Sequence, residues 1–273
     1  MRTVAIVGLG QIGGSLAAAL TRRRLARVVG VTRRAETARR ARRMGLLAAA
    51  GTDVAAVEEA DVVVLATPVR TLLRQIPEIA PRVRPGALLT DVGSTKAEIL
   101  EAFRTARPRA AVVAGHPMAG NEKAGLDGVD AGLFERRPWT LIAGPGATPA
   151  ARRTVEALVR GVGSRPVWMS SAREHDRRVA AISHVPYLIS YALMGVDDRA
   201  LRVCGNSFRD ATRVAMSDPD MVLDFLLTNG RAVAEATASF GRRLAGLLSA
   251  IGRRDAGTLR RAFAAARARR SGI

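Results

Sequence analysis

At 273 residues and 48% hydrophobic, the chain can bury a sizeable core and is long enough for two ordinary domains. Its single cysteine, Cys204, excludes an internal disulfide and a thiolate cluster for metal. The formal charge of +19 comes almost wholly from arginines dispersed between Arg2 and Arg270, and with aromatics at only 4% a base-stacking surface is absent, so no nucleic-acid partner is expected.

The chain starts directly on an apolar run, without a charged leader and cleavage site of secretory type. Strand-like runs follow at residues 3–8, 27–31, 61–66, 87–91 and 111–114. Several are unbroken Val/Ile/Leu/Ala segments, as expected of parallel strands covered on both faces. Helix-like stretches at 12–24, 35–44, 69–79 and 96–104 alternate with them. A further strand pair, 139–143 and 165–168, flanks a helical run at 150–159, which follows the chain break Gly144-Pro145-Gly146. Beyond Trp168 only helical patterns remain: 171–194, 206–216, 219–228, 232–250 and 257–268, the last running into a basic tail expected to fray. The fold expected is an α/β doubly wound, Rossmann-type N-terminal domain over 1–168, followed by an all-helical C-terminal domain over 169–273. The longest uncharged run of the helical half, 179–196, is interrupted by Ser183, His184, Pro186 and Ser190. No membrane span is therefore expected, and the location expected is cytoplasmic. A helical region without its own sheet suits a substrate wall and a homodimer interface.

Gly8-Leu9-Gly10-Gln11-Ile12-Gly13 follows the first strand and opens the first helix, the context that gives a GxGxxG string its meaning. Gly8 would allow the tight turn, Gly10 the approach of a pyrophosphate and Gly13 close helix contact, with Gln11 and Ile12 beginning the helix at the anion. Thr67 and Pro68, just past the run 61–66, would border the same cofactor. The second strand ends in Thr32-Arg33-Arg34, with no acid to hold ribose hydroxyls. Charge-assisted bonds from these arginines favour NADP over NAD, unless they are merely part of the general arginine excess.

Two more loops follow successive strands, Asp91-Val92-Gly93-Ser94-Thr95-Lys96 and Gly115-His116-Pro117-Met118-Ala119-Gly120. His116 is thereby a candidate general base, with Ser94 to orient it or meet the nicotinamide and Lys96 to add charge near an anionic substrate. In the helical half, His175 and Asp176 precede Ser183-His184-Val185-Pro186-Tyr187, where Pro186 should kink the helix beside the pocket candidate His184. Asp210 and Arg213, three residues apart, would share a helical face; the carboxylate would hold the guanidinium toward a substrate carboxylate, or the two would be a surface pair. Three histidines without ligand spacing point to no metal.

These pieces together resemble the TyrA family, the prephenate and arogenate dehydrogenases of tyrosine biosynthesis. The matching segments are GLGQIGGSLAAAL from Gly8, DVGSTK from Asp91, GHPMAG from Gly115, HD at His175, SHVPY from Ser183 and FRDATRVAMSDPDM from Phe208. The resemblance implies a dinucleotide domain with a helical dimerisation domain. It also implies that His116 is the catalytic histidine, Ser94 its partner, and Arg213 the substrate-binding arginine supported by Asp210. The reaction implied is oxidation at C4 of a cyclohexadienol with loss of the ring carboxylate as carbon dioxide. Tyr187 stands where the family carries a histidine, Gly205-Asn206-Ser207 replaces a more glycine-rich lead, and Val222 replaces a common tryptophan. These departures fall at the side-chain end of the pocket, where prephenate carries a ketoacid and arogenate an amino acid. The alternatives are a dehydrogenase of the β-hydroxyacid class, which would need a lysine in the helical half, and a noncatalytic NADPH-binding sensor. No clear regulatory domain is read after the helices.

Overall fold

The computed structural model describes residues 2–121 and 123–272; Met1, Glu122 and Ile273, which fall within the expected domain ranges, lie outside it. Eight strands form one sheet in the order β3-β2-β1-β4-β5-β6-β7-β8. They are β1 (Thr3–Val7), β2 (Arg27–Val31), β3 (Ala49–Gly51), β4 (Val62–Leu65), β5 (Leu88–Asp91), β6 (Ala111–Pro117), β7 (Pro138–Ala143) and β8 (Arg165–Trp168). The first six pair in parallel, β7 runs antiparallel to β6, and β8 is parallel to β7.

The unbroken apolar runs are explained by two covered faces. Val4, Ile6, Val62 and Val64 pack on one side with Leu16, Ala17 and Leu20 of α1 (Gln11–Arg22) and with Val155 and Val159 of α5 (Pro149–Gly161). Their neighbours Ala5, Val7, Val63 and Leu65 pack on the other, with Leu72 and Ile76 of α3 (Val69–Ile79) and Ile99 and Phe103 of α4 (Ala97–Ala106). Alternate side chains of a strand point to opposite faces, so burial of both faces requires every position to be apolar. A short helix α2 (Ala35–Arg43) contributes Ala41 to the first face.

One strand was not anticipated and one is corrected. The three-residue edge strand β3, Ala-Ala-Gly, is too short and bland to carry a period of its own. The strand at Ala111 does not stop at residue 114: β7 pairs His116 with Thr140 and Pro117 with Trp139, which carries the extended backbone through the histidine.

The helical half comprises α6 (Ala172–Val179), α7 (Val185–Leu193), α8 (Asp198–Leu201), α9 (Asn206–Thr212), α10 (Pro219–Thr228), α11 (Gly230–Gly252) and α12 (Ala256–Arg270). Ser171 caps α6 by accepting from the Glu174 amide at 3.1 Å. Between α6 and α7 the residues Ala180–His184 form a π-helical turn directly before Pro186. Proline has no amide for the regular ladder, and the wider π turn just before it accommodates that loss. The short α8 was not anticipated. The helix expected to reach 216 ends at Thr212, and Arg213–Met216 is a 3-10 turn. The basic tail is helical through Arg270.

Candidate active site

The three glycines differ in what surrounds them. Gly8 has φ +102°, and a Cβ there would lie 2.6 Å from the Ala66 carbonyl oxygen, so the turn out of β1 accepts only glycine. A Cβ on Gly13 would lie 1.9 Å from the Gly8 carbonyl oxygen, which locks helix against strand end. A Cβ on Gly10 would meet no protein atom within 4 Å, leaving open space at the start of α1. That helix has no side-chain cap and no acid in its first turn, so its leading amides and positive dipole end are available to an anion. These features fit a dinucleotide pyrophosphate.

Register aligns the neighbouring strand ends, since Val7 pairs with Val31 and Leu65, and Leu65 with Asp91. Thr32 is half-buried at the end of β2, its amide donating to the Gly51 carbonyl at 3.0 Å. Arg33 and Arg34 are exposed and form no ion pair among the described residues. Thr67 donates its hydroxyl to Gln75 Oε1 at 2.7 Å, and exposed Pro68 is the N-cap residue of α3. Ile12 packs partly buried against the core. Gln11 is occupied within the protein: its Nε2 donates to the carbonyls of Asn121 at 3.0 Å and Lys123 at 2.7 Å. It thus ties the glycine loop to the segment that follows His116.

Lys96 differs from expectation. Its ammonium pairs with the Asp91 carboxylate and donates to the Gly115 carbonyl at 2.7 Å, with no exposed surface on either side chain of the pair. Burial pushes the lysine below its ordinary value, opposed by Asp91. The ammonium fastens the end of β5 to β6 beneath the site and has no exposed surface to offer a substrate. Gly93 is needed beside it, because a Cβ there would lie 3.1 Å from the Asp91 carboxylate and 2.5 Å from Ile99.

His116 projects beyond this pair at the end of β6. Its Nδ1 lies 3.0 Å from Nε2 of His175, and His175 Nδ1 lies 2.8 Å from Oδ1 of Asp176. Asp176 also accepts from the amides of Lys96 and Ala97, each at 2.8 Å, and so caps α4 from the helical half. Thr95 and Thr228 share a hydrogen bond at 2.9 Å, and Arg70 pairs with nearly buried Asp224. The catalytic-side loops are thus joined to α6 and α10 at several points. Ser94 is half-buried, and no hydrogen bond links its hydroxyl to His116. Burial, then His175, Lys96 and His184, hold His116 well below the ordinary value of 6.5. The imidazole is therefore neutral near pH 7 and can accept a proton.

His184 is 1% exposed, with its ring stacked on Phe225 at 4.4 Å and its Nδ1 3.3 Å from the Asn229 amide nitrogen. Burial lowers it to about 4. Tyr187 meets Phe225 edge-on at 5.1 Å, and its phenol oxygen accepts from Ser217 at 3.4 Å. Asp210 is exposed; α9 ends at Thr212, between it and Arg213, and Arg213 opens a 3-10 turn. Among the described residues, no group of three acidic, histidine or cysteine side chains is placed to hold a metal, and no helix is long and apolar enough to cross a membrane.

Residues 16–167 match the family described as "Prephenate dehydrogenase, nucleotide-binding domain", and residues 171–265 match "Prephenate dehydrogenase, dimerization domain". The chain belongs to the prephenate dehydrogenase family. It is 34% identical to a prephenate dehydrogenase of Bacillus subtilis over 83% of its own length, and it spans 64% of that protein. It is 33% identical to a cyclohexadienyl dehydrogenase of Zymomonas mobilis over 84% of this chain and 82% of that one. The solved structure of an A. aeolicus prephenate dehydrogenase, in complex with hydroxyphenyl propionate and NAD+, superposes with a TM-score of 0.89 at 28% identity, covering 100% of this chain and 98% of that one.

Within this member of the family, the partners that sequence reasoning left without a role are His175 and Asp176. The available signal was an adjacent histidine and aspartate early in the first helix after the sheet, just behind a Ser-x-x-Glu start at Ser171. Arg70, Thr95, Asp224 and Thr228 gave no signal, because their pairing depends on how the two halves meet.

Proposed function

We propose that the chain oxidatively decarboxylates prephenate to 4-hydroxyphenylpyruvate, or arogenate to tyrosine, working as a cytoplasmic homodimer with NADP preferred to NAD. The observation that carries this reading is a neutral imidazole, His116, at the end of β6, on a segment tied through Gln11 to the uncapped start of α1. A bound nicotinamide dinucleotide supplies the acceptor for the hydride leaving C4 of the ring. His116 takes the proton of the 4-hydroxyl as that carbon is oxidised. The bond from C1 to the ring carboxylate then breaks, carbon dioxide departs, and its electron pair makes the ring aromatic. His116 can return its proton to the phenolate oxygen. Ser94, in the loop that follows β5, orients the substrate hydroxyl, and Arg213 grips a carboxylate, with Asp210 and Tyr187 near the side-chain end. The ligand named for the A. aeolicus structure, a phenol with a carboxylate-bearing tail, has the chemistry of the product of this reaction.

The dinucleotide contacts are Gly8, Gly10, Gln11, Ile12 and Gly13 at the pyrophosphate turn, Thr67 and Pro68 opposite, and Thr32, Arg33 and Arg34 at the adenosine ribose. Unpaired guanidinium groups without a nearby strand-end acid favour a 2′-phosphate. The homodimer reading is supported by exposed apolar side chains on the helical half, among them Ile182, Val203, Leu227, Leu248 and Phe263. It is supported too by α12, which has no buried residue of its own.

The test is turnover of prephenate and arogenate, each with NAD and NADP, reading kcat/KM for the four pairs. Turnover in at least one pair is expected, faster with NADP. No turnover in any pair would overturn the reading and leave a dinucleotide-binding sensor.

A further inference from the structure

His116 has two ring nitrogens, and only one of them can carry the proton in the neutral base. We infer that the His175–Asp176 pair fixes which one: it holds His116 as its Nδ1–H tautomer and keeps Nε2 a bare lone pair directed to the substrate. The inference rests on the base role proposed for His116.

Asp176 decides the chain of roles. Its two oxygens receive three N–H groups: Oδ1 those of Lys96 and His175, Oδ2 that of Ala97. A carboxylate used in this way is acceptor only, so His175 Nδ1 must be the donor. Burial, against the pull of Asp176, keeps His175 below its ordinary value, so its other nitrogen, Nε2, carries a lone pair. The ring-to-ring contact of 3.0 Å then requires His116 Nδ1 to donate. Nε2 of His116 makes no hydrogen bond among the described residues. An apolar group in place of Asp176 would leave nothing to choose between the two tautomers, and an amide could also present its NH2 and select the wrong one, which would turn a donor toward the substrate.

The pair does a second thing once the base has taken its proton. The imidazolium still donates from Nδ1 to His175, whose bond to Asp176 brings a negative charge within two hydrogen bonds of the new positive one. Buried Lys96 opposes it from the Gly115 side, with Asp91 offsetting that charge, and His184 is the remaining titratable neighbour. No proton needs to move to Asp176. Because His116 lies on the sheet domain and His175 and Asp176 on α6, the base is correctly set only when the two halves are docked.

The test reads the tautomer directly. The chain has only three histidines, so long-range nitrogen–proton correlation spectra of the labelled imidazoles at pH 8, assigned with His116→Asn, resolve each ring. The wild type is expected to show His116 as Nδ1–H, and His175→Leu to show a mixture. In the same variant kcat should fall about 10- to 100-fold, within the span of a general base's contribution, while substrate KM stays within about threefold. His175→Gln presents an amide oxygen near the position of Nε2 and should recover most of the kcat; it also serves if the leucine variant fails to fold. An Nε2–H tautomer in the wild type, or unchanged tautomer and kcat in a folded His175 variant, would overturn the inference. The spectra do not depend on turnover: a wild-type Nδ1–H signal together with full activity of His116→Asn would reject the base role and not the tautomer.

Discussion

The ammonium of Lys96 and the carboxylate of Asp91 form an ion pair with no solvent exposure, directly beneath the peptide that carries His116. Desolvating both charges is costly, and the pair is worth little against a hydrophobic replacement; removing one member is the damaging change. Lys96→Met should therefore destabilise by about 3–5 kcal/mol in urea unfolding, because Asp91 is left buried and unpaired. Adding Asp91→Asn to that variant should restore part of the loss. Wild-type stability with raised substrate KM would instead put the ammonium at the substrate.

The glycine turn yields a contrast between neighbouring positions. Gly13→Ala drives a methyl into the Gly8 carbonyl, 1.9 Å from the ideal Cβ position, so both folding stability and dinucleotide binding should suffer. Gly10→Ala meets no protein atom within 4 Å, and its φ of −87° suits alanine. Its stability should stay within about 1 kcal/mol of wild type, an N-cap change of modest size, while dinucleotide affinity drops. Isothermal titration and thermal unfolding separate the two.

That contrast marks what the sequence made legible. The strand-helix order, the glycine turn and the helical second half were readable because each rests on local period or on a motif with a fixed place after a strand. The extension of β6 through His116 was not, because it depends on antiparallel pairing with β7, more than twenty residues away, as in His116 with Thr140. The burial of Lys96 was hidden for a related reason: its pairing with Asp91 depends on how β5 and β6 close over it. The shared helical face expected of Asp210 and Arg213 assumed that α9 continued past Thr212. His175 was visible as a residue type, and only the docking of α6 on α4 brings it to His116.

Acid should weaken the fold through the histidines. His184 titrates at about 4 when folded against an ordinary 6.5, so the native state refuses a proton that the unfolded chain accepts. Its effect is nil above pH 6.5 and grows as pH falls toward 4, reaching on the order of 3 kcal/mol. His116 and His175 are lowered in the same direction and add to it. Urea midpoints at pH 7, 5.5 and 4.5 should fall more steeply for wild type than for His184→Phe, which keeps a ring against Phe225 and has nothing to protonate. Equal slopes would remove His184 as a source.

Cofactor choice is tested at the end of β2. Replacing Arg33 and Arg34 together by alanine should lower kcat/KM for NADP about tenfold, equivalent to about 1.4 kcal/mol, and leave NAD use nearly unchanged. A wild-type preference for NAD above about tenfold would reject the assignment of those guanidinium groups to a 2′-phosphate.

The role of His116 as acceptor of the substrate hydroxyl proton is open to a direct kinetic test. Steady-state kinetics of His116→Asn with the better of prephenate and arogenate, beside dinucleotide titration of the same variant, test it most directly. Loss of the base should lower kcat by about 10²–10⁴-fold with dinucleotide affinity retained. Wild-type kcat in that variant would contradict it.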